Sequence, residues 1–502
     1  MYNARLIIQA DFPKISIDAR IYGGFAEHLG RHIYTGMIEP AHPLADAQGF
    51  RTDVIELFRG LYMPIVRYPG GNFVSGYDWE DGVGPLAERP KRLDLAWGVT
   101  ETNLFGTNAF VDWCRKANTE PMLAVNLGTR GIDSARALTE YCNHPSGTAL
   151  SDLRREHGYQ TPHAIKTWCL GNEVDGHWQM GAKPAHDYGL LANEASKCMK
   201  GVDPSIETIL CGSSGRAMPT FGTWEWEALQ GCYENVDYVS LHTYYDDHGG
   251  DLASFFASPD LMGDFIQETI AVCDAVKASK KSKHVMMLSF DEWNVWFPEN
   301  NLIDRSPVWP ELSTRKSDVY DMADALVVGG MLLTLLANAG RVRIACIAQI
   351  VNVLAPILTV PSGPAWCQTI YWPFQLTSLY GRGVLMDTVL DCPYFDASNR
   401  EHIGFMQSVT TFDAVKHTMN VFVINRDPSG QVGQITVDVR GMQLTGDVEH
   451  VMLRHDNLNA ENTIDAPNNV FPLRKSFRMD VTQRLELTVA GYSWNLYRFS
   501  VA

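Results

Sequence analysis

Residues 167–173 read Thr167-Trp168-Cys169-Leu170-Gly171-Asn172-Glu173. A short apolar run gives way at once to a glycine and two polar groups. This is the pattern of a buried strand with a carboxylate at its C-terminal end, where a merely solvated acid is not expected. The same pattern recurs along the chain. Apolar runs at residues 21–26, 65–68, 122–126, 167–170, 208–212, 238–243, 285–291 and 344–350 make eight candidate strands. Helical patterns lie between them, including 53–61, 107–116, 134–143, 186–200, 263–278 and 319–337, the last with Gly340 placed to stop it. Strand–helix alternation repeated eight times predicts an α/β fold, a (β/α)8 TIM barrel over residues 17–382. A doubly wound open sheet is the competitor, but no GxGxxG follows the first strand.

After about residue 383 the period falls to two. Candidate strands lie at 417–425, 434–440, 448–453, 476–481, 484–489 and 494–501, with turn signals such as Asp427-Pro428-Ser429-Gly430 between them. They predict a C-terminal β-sandwich, jelly-roll-like, over residues 383–502. One lone strand in residues 1–16, broken at Phe12-Pro13, is free to complete that sheet. No flexible linker separates the two halves, so rigid packing is expected.

The 502 residues carry a formal charge of −17 and 45% apolar side chains. An acidic surface argues against nucleic acid or an anionic membrane as partner. The longest apolar stretch, 325–337, is shorter than the roughly 20 residues that span a bilayer. The start, Met1-Tyr2-Asn3-Ala4-Arg5, has no basic region leading into a long apolar segment. Ten cysteines without a CxxC pair read as small buried hydrophobes in a reducing compartment. A soluble cytoplasmic protein is therefore expected.

A barrel presents its chemistry at the C-terminal ends of its strands. Here those ends carry Glu27 and His28; Arg67 through Asn72; Asn126; Asn172 and Glu173; His242 and Tyr244; Asp291 and Glu292; and Gln349. Glu173 and Glu292 follow strands four and seven, which face each other across the barrel mouth. Two converging carboxyls are what glycosidic hydrolysis requires, and a retaining enzyme places them about 5–5.5 Å apart. Metal chemistry has little support: His28 and His32 are four apart, but no HExxH occurs, and no cofactor is implied. Gly212-Ser213-Ser214-Gly215 lacks the spacing of a serine nucleophile elbow.

Six segments in order extend the pattern: residues 21–30, 66–77 and 79–85, then 168–173, 291–296 and 348–352. Through them the chain resembles the family 51 glycoside hydrolases, the α-L-arabinofuranosidases, over nearly its whole length. The resemblance implies that Glu173 is the acid/base and Glu292 the nucleophile. It implies that Glu27, Asn72, Asn172, Tyr244 and Gln349 hydrogen-bond the arabinofuranose, with Arg67 and His242 supporting the site. Trp97 and Trp296 fall where the family places rings around the leaving group. Arg67 near Glu292 would keep that carboxylate ionised. Two departures bear on subsite preference: Ala109 stands where the family has Glu, and His177, expected to border the mouth, where Pro is usual.

The expected function is hydrolysis of terminal α-L-arabinofuranosides of arabino-oligosaccharides by an exo-acting, retaining enzyme. A related glycosidase acting on a β-xyloside or β-glucan, and a non-catalytic carbohydrate-binding protein, are the alternatives. The resemblance also implies a homo-oligomer, often a hexamer.

Overall fold

The structure, a computed structural model, describes residues 1–11, 15–247, 249–297, 308–313, 315–480 and 485–502. Its centre is a closed barrel of eight parallel strands: β1 (Gly23–Phe25), β2 (Ile65–Tyr68), β3 (Glu120–Ala124), β4 (Thr167–Cys169), β5 (Glu207–Leu210), β6 (Tyr238–Tyr245), β7 (Met287–Val295) and β8 (Val342–Ala348). Each strand pairs with its successor, and β8 pairs with β1. Side chains such as Phe25, Ile65, Met122, Cys169, Ile209, Ile344 and Cys346 fill the barrel as a packed core.

All eight expected strands are present; Ile65–Tyr68 matches its expected ends and the other seven have shifted ends. Residues 21 and 22 are not strand. Asp18 caps a 3₁₀ turn over Ala19–Tyr22 by accepting from Arg20 N, so the strand begins at Gly23. β7 does not stop at Asp291 but runs to Val295, which places Glu292 inside the strand rather than past it. β6 likewise runs through His242 to Tyr245. The register between them slips: Ser240 faces Ser289, but His242 faces Glu292. Two residues of β7 thus oppose one of β6, a bulge of the kind that re-aims side chains beside active sites.

The last long helix, Met322–Ala337, starts three residues later than its apolar pattern suggests. Asp321 and Asp324 exchange backbone hydrogen bonds as a capping box that fixes its start. Gly340 does not end it; Asn338 is its C-cap, with its backbone N–H bonded to carbonyls of the last turn. Residues 322–336 are all buried, because one side covers the barrel and the other meets the C-terminal sheets. Gly329 is required there: a Cβ at that position would lie 2.6 Å from the Trp494 ring. The Gln407 amide donates to Gly330 O at 3.0 Å and to Thr334 Oγ1 at 2.9 Å, fastening the same junction.

The C-terminal strands form two sheets. Seven strands stand in the order Ile15–Ser16, Val384–Leu385, Met406–Asp413, Thr418–Asn425, Ser493–Val501, Leu444–Arg454 and Leu473–Arg478. Four stand in the order Asp387–Asp391, Tyr2–Gln9, Gly433–Arg440 and Leu485–Val489. Tyr2–Gln9 is central in its sheet, parallel to Gly433–Arg440 and antiparallel to Asp387–Asp391. Leu6, Ile8, Val421, Val423, Ile435, Leu487 and Phe499 form the core between the sheets. The expected break at Phe12-Pro13 and the expected strand ends at Val481 and Arg484 lie outside the described residues. All ten cysteines are free thiols and eight are buried. Among the described residues, no helix is long and apolar enough to cross a membrane.

Candidate active site

The mouth of the barrel holds a cavity of about 470 Å³ whose wall includes Glu27, Asn72, Glu173, Tyr244, Glu292 and Gln349. Trp97, Trp178, Trp296 and Arg315 complete much of the rest. β1 supplies Glu27 just past its end. Its Oε1 accepts from Phe73 N at 3.1 Å and from the Trp97 indole at 2.8 Å. Burial, reinforced by the charge of Glu292, pushes the Glu27 carboxyl well above the usual range. The approach is close enough to demand glycine at position 71, where φ is +60° and a Cβ would sit 2.1 Å from the Glu27 carboxyl carbon.

Glu173 and Glu292 come from β4 and β7 and converge. One oxygen of each, together with a ring nitrogen of His242, lie within 4.8 Å of one another. Glu292 is 6% exposed. Its Oε1 accepts from the Tyr244 hydroxyl at 2.7 Å, and its Oε2 from Arg67 Nη1 at 3.1 Å. Burial raises the Glu292 carboxyl and the Glu173 charge adds to this; His242, Arg67 and the Tyr244 hydroxyl pull the other way without cancelling it. Arg67 therefore stands where expected, but desolvation outweighs its effect. Glu173 is half-buried, with Oε1 3.0 Å from His242 Nδ1 and Oε2 accepting from the Trp178 indole at 2.9 Å.

Beneath the cavity floor is a charged layer. Arg67, 1% exposed, donates from Nη2 to Asn172 Oδ1 at 2.7 Å. The Asn172 NH2 group and the Gln349 amide oxygen have no partner among the described residues. A buried amide donor and a buried amide acceptor of this kind call for a ligand with hydroxyl groups. His242 Nδ1 also lies 3.2 Å from Glu292 Oε2, and its Nε2 lies 3.0 Å from the fully buried Asp291. Burial opposes protonation of His242, yet Glu292, Asp291 and Glu173 outweigh it and raise the ring to about 10. Glu173, His242 and Glu292 are near enough together for metal ligation. A protonated His242, however, offers both carboxylates an N–H and offers a cation no lone pair. Arg67 in turn holds Asp291 below its ordinary range, against the burial that would raise it.

All ten expected site residues thus gather at this end of the barrel, in two layers. Arg67, Asn172 and His242 lie outside the cavity wall and under the carboxylates; the other seven line the cavity. Trp97 lines it too, whereas Ala109 and His177 do not. Ala109 lies within the helix Thr107–Ala117, and exposed His177 meets Trp178 edge-on at 5.0 Å between ring centroids. His28 and His32 take separate partners: His28 bonds Glu101 and Tyr68, and His32 bonds Val351 O. Three residues carry weight that sequence reasoning did not assign. Asp291 was readable as an acid adjacent to Glu292, and Trp178 as a ring five residues after Glu173. Arg315 sits in an irregular loop with no signal; its Nε and Nη1 have no partner among the described residues.

Two family models match the chain: "Alpha-L-arabinofuranosidase 1 domain" over residues 57–260 and "Alpha-L-arabinofuranosidase C-terminal domain" over residues 291–493. The chain is 49% identical, over 99% of both sequences, to an intracellular exo-α-(1→5)-L-arabinofuranosidase from Halalkalibacterium halodurans. The chain belongs to glycoside hydrolase family 51, the α-L-arabinofuranosidases. Another relative, 46% identical over 93% of this chain and 91% of its own, is an exo-α-(1→6)-L-arabinofuranosidase from Bifidobacterium longum. A solved family 51 α-L-arabinofuranosidase, also from Bifidobacterium longum, superposes with a TM-score of 0.93 at 39% identity, covering 99% of this chain and all of that one. Family 51 membership thus rests on sequence and on architecture together, and the barrel with its appended sheets is the family's fold.

Proposed function

We propose that this family 51 enzyme removes terminal α-L-arabinofuranosyl units from arabino-oligosaccharides with retention of configuration, and that Glu292 and Glu173 are its catalytic pair. The observation that carries this reading is the separation of the two carboxylates. Oxygens within 4.8 Å of each other suit direct attack on the sugar, while an inverting pair stands about 6.5–9.5 Å apart to admit a water. Glu292, held by Tyr244 and Arg67, attacks the anomeric carbon as Glu173 protonates the departing oxygen. The result is a glycosyl ester on Glu292 and a free leaving group. Glu173 then deprotonates water, which cleaves the ester and regenerates both carboxyls. Glu27, Asn72, Asn172 and Gln349 supply the polar contacts that orient the ring.

The test is loss of single residues. Glu292→Ala should abolish turnover of every substrate. Glu173→Ala should retain turnover of aryl arabinofuranosides with activated leaving groups and respond to added azide. Substantial activity in Glu292→Ala would overturn the assignment. A panel of aryl glycosides, including the β-xyloside, tests the substrate class, with activity expected on the arabinofuranoside. The intracellular relatives support a cytoplasmic location. The resemblance supports a homo-oligomer, which sedimentation of the purified chain would reveal as a multiple of 56.1 kDa.

A further inference from the structure

A second cavity, of about 360 Å³, adjoins the first. Leu95 and Met180 belong to the walls of both. Beyond them its own wall is formed by Phe73, Asp94, Asn103, Thr129 and Arg92 among others. It opens to solvent past Arg92 and Leu93, whose residue or side-chain surfaces are more than half exposed.

Its polar groups are unusual for a structural crevice. Asp94 is 6% exposed; its Oδ1 accepts from Ala96 N and Trp97 N, yet its Oδ2 has no partner among the described residues. Asn103 is 1% exposed; its amide N–H donates to Pro90 O, and its Oδ1 is likewise without a partner. Buried acceptors of this kind are costly unless a donor reaches them. The charged neighbours are already paired, Arg92 with Asp81 and Arg130 with Asp78 and Glu80. Among the described residues the wall thus presents two free acceptors and one free donor, the Tyr77 hydroxyl, beside apolar surface from Phe73, Leu95 and Met180. A neutral sugar supplies both complements.

The position sets which sugar. Met180 belongs to the same loop as Trp178, which bonds the proposed proton donor Glu173. The shared wall is therefore on the leaving-group side of the scissile bond. The geometry points to this cavity as the binding site for the second sugar unit of the leaving group, beyond the unit directly attached to the bond that breaks. This inference rests on the reading of Glu173 and Glu292 given above.

Linear arabino-oligosaccharides of two, three and four units test it against an aryl arabinofuranoside, whose single ring cannot extend so far. The wild-type kcat/KM is expected to rise about tenfold from two units to three, as one or two hydrogen bonds are gained, and to level off at four. Assayed at pH 8, where Asp94 is ionised, Asp94→Asn keeps the turn-capping oxygen but puts an NH2 donor in place of the free acceptor, and it should collapse the trisaccharide-to-disaccharide ratio toward one. Asn103→Ala, which removes the second free acceptor, should reduce the same ratio. Equal kcat/KM for two and three units, or a ratio unchanged in both variants, would overturn the inference. No turnover of the aryl arabinofuranoside would instead overturn the proposed function, so the two failures are distinguishable.

Discussion

Trp178 donates its indole N–H to Oε2 of Glu173 at 2.9 Å, although the tryptophan is 44% exposed. The proposed acid/base is therefore held from two directions, by buried His242 on one oxygen and by a ring at the cavity rim on the other. Trp178→Phe keeps the ring and loses the bond. Allowing for solvent competition, kcat/KM should fall about three- to tenfold. His177→Ala, which touches only the outer edge of that ring, should change it less than about twofold by the same reckoning. Steady-state kinetics on one aryl arabinofuranoside measures both, and a larger effect at His177 would reverse the assignment.

Tyr244→Phe tests how Glu292 is kept ready to attack. The hydroxyl favours the ionised carboxylate, while burial opposes it. Removing the hydroxyl leaves burial less opposed, so the Glu292 pKa must rise further. The acidic limb of the kcat/KM profile should move to higher pH, with a loss of about a hundredfold at the optimum. An unmoved acidic limb would show that the hydroxyl does not act on this carboxylate.

Arg67 holds the site together rather than lining it. It neutralises Asp291 and Glu292 and orients Asn172, all with almost no solvent contact. Arg67→Met leaves two buried carboxylates with one fewer cation. Chemical denaturation should register a loss of about 3–5 kcal/mol, and turnover should vanish with it. Stability within about 1 kcal/mol of wild type would mean that water enters and screens the layer.

Asp94 gives a stability signature. Burial raises it from 3.8 to about 7. A folded-state pKa above the unfolded one means that its contribution is fully present below about pH 4 and is lost as pH climbs through about 7. Asp94→Asn cannot ionise. The melting temperature of the variant minus that of wild type should therefore increase between pH 5 and pH 8. Melting curves across that range decide, and a flat difference would refute the buried neutral acid.

At the junction of barrel and sheets, Gly329→Val would drive a side chain into Trp494. The expected cost is about 1–3 kcal/mol, read as a lower midpoint in urea. A variant with an unchanged midpoint would show that the indole can move aside.

The barrel is legible in the sequence because its strands are buried and so read as short, mostly apolar runs bounded by glycines and polar residues. Residues 65–68 match their strand end to end. Where such runs pass into functional residues, hydropathy no longer marks the boundary. β7 therefore continues four residues beyond its expected end at Asp291, through Glu292 to Val295. Strict alternation would send those two acids to opposite faces. The slip between Ser240 and His242 is what allows both to reach one imidazole, and no period in the sequence announces a bulge. The pairing of Trp97 with Glu27 and of Trp178 with Glu173 is equally hidden, because those rings ride on loops whose course is set by tertiary contacts. Arg315 and the second cavity belong to the same class.

The placement of Tyr2–Gln9 has a consequence for how the molecule is made. Tyr2 pairs with Gly433 and Gln9 with Arg440. In translation this strand precedes every barrel strand, yet its parallel neighbour is made only after the last barrel strand has been completed at Ala348. Until both neighbours are made, the strand has two open edges, available to chaperones and to other nascent chains. Pairing of Tyr2–Gln9 with Gly433–Arg440 thus follows synthesis of the whole barrel, and it ties a segment made before the barrel to one made after it.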